Sequence, residues 1–168
     1  DLKATSDSVT LTVTNTGSCD GAEIVQIYVA KPDAKVFRPV QELKGFEKVK
    51  LAAGESKCVA IPLDDKAFRY WNTMTNAWEI EGGRYEIRVG ASCEDIRLTA
   101  TVEVAGTGAP NPYAGISLPH YESGKVMNVP DAEWEVLLDR PIPDDTVKID
   151  CNMTLGELKH SRSPLCWL

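Results

Sequence analysis

The sequence predicts an all-β sandwich of seven or eight short strands, trailed by a mostly irregular extension with two short helices. Three observations carry this expectation. Apolar residues alternate with polar ones at period two through most of the first 105 residues, turn chemistry recurs at roughly ten-residue intervals, and a helical period is almost absent there.

In chain order, SVTLTVT from Ser8 to Thr14 puts Val9, Leu11 and Val13 on one face and threonines on the other, the pattern of a half-buried strand. Asn15, Gly17, Ser18, Asp20 and Gly21 supply a turn. The β-branched run from Ala22 to Lys31, with Val25, Ile27 and Val29 in phase, forms the next strand and stops at Pro32. Pro32 to Gln41 is a long loop holding Phe37, Arg38 and Pro39. In the strand that follows, Leu43, Gly45, Glu47, Val49 and Leu51 share a phase, while the large apolar Phe46 falls on the opposite face. A bulge or bend is therefore expected at Gly45-Phe46. After the turn at Ala53-Gly54-Glu55, Val59, Ile61 and Leu63 are in phase, and Pro62 marks a strand end or an exposed edge.

LDDKAFRYW, from Leu63 to Trp71, is read as a crossing between strands with a helical turn at 64–67, and Asn72 to Asn76 as a polar turn. Short strands follow at Ala77 to Ile80 and through RYEIRVG, where Tyr85, Ile87 and Val89 face inward. The clearest strand is the last, with Ile96, Leu98, Ala100, Val102 and Val104 alternating with polar residues. The sandwich is accordingly expected over 1–105. AGTGAPNPYAG then reads as a linker opening an extension over 106–168, with helices near 131–138 and 154–160, the first opened by Pro130 and ended before Pro141.

Composition narrows the functional classes. Eighteen Lys and Arg against 25 Asp and Glu leave a net charge of −7, and no basic run is interleaved with aromatics, so no nucleic-acid partner is expected. No stretch approaches the roughly 20 apolar residues of a membrane span, so no membrane partner is expected either. Cys19, Cys58, Cys93, Cys151 and Cys166 are odd in number and show no metal-ligand spacing; reduced thiols in a cytoplasmic protein are the simplest reading, with a secreted protein carrying one disulfide as the alternative. A chain that opens on Asp1 close to a strand is read as a fragment of a longer one.

No catalytic constellation, metal site or cofactor is expected. Glu79 with Glu81 and Asp64 with Asp65 read as surface pairs, because carboxyls that share acid–base work must face each other across a substrate-sized cleft and an unrestrained surface pair is far commoner. His120 and His160 lack a carboxylate or cysteine at metal spacing and read as surface residues. Tyr28, Tyr70, Trp71, Trp78 and Tyr85 are expected to pack in the core or against another domain rather than stack on sugars. Phe37, Arg38 and Pro39, in their long loop, together with Tyr70 and Trp71, are the candidate contacts to other domains.

Several segments carry a family resemblance. NTG at Asn15 to Gly17, RPVQELKGFEKVKLAAGESKCVAIPL, FRYW, GGRYEIRVGAS at Gly82 to Ser92 and DIRLTATVEV resemble, in order and spacing, the C-terminal fibronectin type III-like domain, an immunoglobulin-like sandwich, of glycoside hydrolase family 3 enzymes such as β-glucosidases. WEVLLDRPIP, Trp134 to Pro143, is similar to the stretch that follows this domain in bacterial members, with Asp139 where glycine is usual. The resemblance implies a non-catalytic module that stabilises or positions catalytic domains which hydrolyse β-glycosides with retention. Their nucleophile and acid/base carboxylate belong to other domains, so no residue here inherits a catalytic role. The partners it implies are those catalytic domains. Carbohydrate, with the chain as a carbohydrate-binding or other interaction module, and a second copy of the chain are left open.

Overall fold

The computed structural model describes residues 1–143 together with Thr154 and Gly156. Two compact units divide the chain, Asp1–Gly115 and Ile116–Leu168.

The first unit is a sandwich of two antiparallel sheets. One orders β1 (Leu2–Ala4), β2 (Ser8–Thr14) and β5 (Ser56–Pro62), with β2 central. The other orders β4 (Glu42–Leu51), β3 (Gly21–Ala30), β8 (Gly83–Gly90) and β9 (Ile96–Val104). A separate hairpin pairs β6 (Arg69–Asn72) with β7 (Ala77–Ile80). The in-phase residues of the sequence meet between the sheets. Val9, Leu11, Val59 and Ile61 come from one, and Val25, Ile27, Val29, Val49, Leu51, Tyr85, Ile87, Val89 and Val102 from the other, closed by Leu63 and Phe68. Pro62 is the last residue of β5, an edge strand, where its missing N–H interrupts no ladder.

Nine strands stand among the described residues, beyond the seven or eight expected. The additional ones are β1, three residues long and too short to show a period, and β6, whose RYW shows no alternation because large side chains occupy both its faces. The helical turn before β6 is a 3-10 turn at Asp65–Ala67, capped by the Asp64 carboxylate accepting from the Lys66 N–H at 3.0 Å. The bulge expected at Gly45-Phe46 lies one residue earlier. Ile27 pairs with Gly45 and Tyr28 with Leu43, which leaves Lys44 as the extra residue.

The segment read as a linker belongs to the first unit as far as Gly115. Its backbone joins the β6–β7 hairpin, with the Thr107 N–H donating to the Ile80 carbonyl at 3.0 Å. Asn72, fully buried, donates to the Pro110 carbonyl at 2.8 Å, while its own carbonyl oxygen accepts from the Met74 N–H at 2.9 Å. A Cβ on Gly106 would stand 2.5 Å from the Gly82 nitrogen, so the two backbones approach as only glycine permits.

In the second unit, α1 (Pro119–Ser123) precedes α2 (Asp131–Leu138). The 131–138 helix was expected; α1, under two turns long, gave no period to read. Asp139 ends α2 at φ 52°, ψ 34°, holding the left-handed conformation normally given to glycine. The helix expected at 154–160 lies outside the described residues, apart from Thr154 and Gly156. No described helix is long and apolar enough to cross a membrane.

Candidate interaction surfaces

The carboxylates that sequence alone offered as acid–base pairs are each engaged by a neighbouring backbone or side-chain group. Asp64 caps the 3-10 turn, Asp65 pairs with Arg69 at 3.2 Å, and Glu79 accepts from the Thr75 hydroxyl at 2.9 Å. Glu81 accepts the Lys35 N–H at 2.8 Å through Oε1, while its Oε2 is buried without a hydrogen bond. A recess of 170 Å³ at one end of the sandwich is lined by Leu11, Val13, Val25, Val89 and Leu98, with Glu23 as its one carboxylate. A double displacement at a sugar needs two. No group of three or more His, Cys, Asp and Glu stands at metal-binding geometry among the described residues.

His120 departs from the sequence reading. Its Nδ1 meets the Glu133 Oε1 at 2.5 Å, and Tyr121 stacks edge-on against Trp134 with centroids 6.2 Å apart. One turn of α1 is thereby tied to the first turn of α2. Thirteen residues separate the pair, so spacing along the sequence could not show it.

The five candidate contact residues fall in two places. Arg38 turns inward, donating from Nη2 to the Phe68 carbonyl at 2.9 Å and lying 5.5 Å from the Tyr70 ring centroid and 5.7 Å from that of Tyr85. Tyr70 is half-buried there, and its hydroxyl accepts from the Asn72 amide at 3.1 Å. Burial pushes the Tyr85 phenol above its ordinary value; Arg38 opposes the shift and Glu81 adds to it. Phe37 leans on Tyr113, centroids 4.5 Å apart, and Pro39 is exposed. Trp71 sits apart, paired across the hairpin with Trp78 in an edge-to-face contact at 5.5 Å, the two remaining 46% and 57% exposed. Arg38 and Tyr70 are therefore engaged by the sandwich's own packing, while Phe37, Pro39 and Trp71 stay exposed.

The sequence reading missed a further surface, the outer side of β3 and β4, where Ile24, Leu43 and Phe46 are exposed. The off-phase Phe46 was its one signal, and it was used to place a bulge.

The fold defines a class: an antiparallel β-sandwich module whose described residues hold no paired-carboxylate cleft. Residues 23–93 match the fibronectin type III-like domain. The chain is 51% identical over 109 residues to an exo-α-(1→6)-L-arabinopyranosidase of Bifidobacterium breve, a match covering 65% of this chain and 14% of that enzyme. It is 45% identical over 111 residues to thermostable β-glucosidase B of Acetivibrio thermocellus, covering 64% of this chain and 15% of that enzyme. The crystal structure of a family 3 β-glucosidase from Bifidobacterium adolescentis superposes with a TM-score of 0.60 at 34% identity, covering 98% of this chain and 19% of that one. The match to a fibronectin type III-like domain spans residues 23–93, and the proteins the chain is similar to include β-glucosidases and an arabinopyranosidase, of whose lengths it covers 14–19%.

Proposed function

We propose that this chain is the non-catalytic module of a β-glucosidase-like family 3 enzyme and acts by packing on the catalytic domains that perform retaining glycoside hydrolysis. The observation that carries this is the match itself: half the residues are identical over 109 positions to a segment that makes up 14% of a complete glycosidase. The internal use of Asp64, Asp65, Glu79 and Glu81 agrees with it, since neither of these two pairs is left to share a sugar. The cytoplasmic reading, with a secreted protein as its alternative, rests on the odd number and the spacing of the five cysteines. Calorimetry tests the packing. In the complete enzyme the sandwich should unfold within the transition that abolishes activity. A separate transition at the melting temperature of the 168-residue chain would overturn the proposal.

One observation favours a second reading. Trp71 and Trp78 lie on one face of the hairpin and are half exposed, as the aromatic platforms of sugar-binding modules are. Against it, the Arg69 guanidinium stands 5.2 Å from the Trp78 ring centroid and occupies one ring face. Titrating the chain with cellobiose, laminarin and xylan under tryptophan fluorescence decides between the two. The packing module gives no saturable response, and a saturating curve would establish the sugar platform.

A further inference from the structure

The outer face of the four-stranded sheet is chemically divided. Over β8 and β9 it carries Arg84, Glu86, Arg88, Thr99, Thr101 and Glu103, with Arg88 and Glu86 paired at 2.7 Å. This half is a solvated surface. Over β3 and β4 the register sets Leu43 opposite Tyr28, Phe46 opposite Gln26, Ile24 opposite Lys48 and Ala22 opposite Lys50. Leu43 is 50% exposed, Phe46 67% and Ile24 43%, and they form one apolar strip with the two lysines at its end.

The strip exists because of the bulge. In a regular strand, residues three apart point to opposite faces, so Leu43 and Phe46 would separate. With Lys44 as the extra residue, both point outward while Gly45 faces the core, where an added Cβ would stand 3.0 Å from Ile61 Cγ2 in the other sheet. A bulge that turns two large apolar side chains toward water, over a core that is already closed, has its rationale in a partner.

We propose that this strip seats the remainder of the enzyme chain, through an apolar surface edged by carboxylates that meet Lys48 and Lys50. The inference rests on the reading of this chain as a module of a longer glycosidase, and the relatives supply the occupant: about six-sevenths of their length lies outside the matched segment. A second copy of this chain fits less well. A two-fold axis along the strip would set Lys48 and Lys50 against their own counterparts, and one across it would lay them on the partner's apolar Leu43 end; the lysines along β4, an edge strand, also oppose strand-to-strand addition. A sugar also fits less well. Gln26, the polar side chain opposite Phe46, is spent on the Ala91 carbonyl and the Tyr28 hydroxyl, so the strip offers no free amide to read sugar hydroxyls.

Hydroxyl-radical footprinting, read by mass spectrometry on the 168-residue chain and on the complete enzyme, tests this without a mutation. Oxidation of Phe46 and Leu43 should fall about five-fold or more in the complete enzyme, the change expected when exposed side chains enter an interface core. Protection of Trp71 and Trp78 with none at Phe46 would overturn the assigned face while leaving the module reading intact. Protection at none of the chain's side chains would overturn both. Protection of Phe46 in the 168-residue chain that grows with its concentration would replace the enzyme chain by a second copy.

Discussion

Arg38 donates to the Phe68 carbonyl and lies over two tyrosine rings, so its removal falls first on the sandwich itself. Arg38→Met should cost the isolated chain about 2–3 kcal/mol, the loss of a charge-assisted hydrogen bond and its ring contacts, read from urea unfolding. An unchanged midpoint would return Arg38 to the role of external anchor that its long loop suggested. Tyr85 beside it makes a pH-dependent contribution. Its phenol donates to the Glu81 carbonyl at 2.7 Å, and burial raises its pKa above the unfolded value of about 10. The folded state therefore holds this proton more tightly than the unfolded one. The resulting stabilisation is intact below about pH 10 and is lost as pH rises through the folded value. Unfolding wild type and Tyr85→Phe at neutral pH and again above about pH 10 checks the sign, because the stability gap between them should narrow at high pH. A gap that widens would contradict the assignment.

At the scale of elements, period-two alternation found β2, β8 and β9 because each has one face in the core and one in water. It failed for β6, where Tyr70 is half-buried on one face and Trp71 half-exposed on the other, and for β1, whose three residues carry no period. Small residues and prolines made 105–115 look like a linker. The same smallness is what lets Gly106 lie against Gly82, and Gly106→Ala should destabilise the sandwich by about 2 kcal/mol or more because backbone, not a pliable side chain, stands in the way. Melting that is unaffected would mean that this strap is loosely held. The end of α2 offers the opposite sign. Asp139 is left-handed and sits at the negative end of the helix, so Asp139→Gly should stabilise the second unit by about 0.5–1 kcal/mol, measurable as greater helical signal at 222 nm on warming.

For the whole molecule, the fold was legible because a sandwich core is written as alternation, while its working surface was not, because alternation records which face is buried but not what covers the other. Phe46 shows the difference. Its phase placed the bulge to within one residue, yet nothing along the chain distinguished a side chain turned to water from one turned to a partner. Loop length and residue type point to Phe37 and Arg38 as contacts, and the same two side chains close the loop onto its own sandwich, Phe37 on Tyr113 and Arg38 on Phe68 and Tyr70. The described carboxylates Asp64, Asp65, Glu79 and Glu81 hold capping and pairing roles, and an apolar strip is exposed, which is the basis of the proposal that the chain associates rather than cleaves. The most direct test is turnover by the 168-residue chain itself on an aryl β-D-glucoside and an aryl α-L-arabinopyranoside. Release of the aryl alcohol should not exceed that in buffer, and turnover that survives repurification would contradict the account.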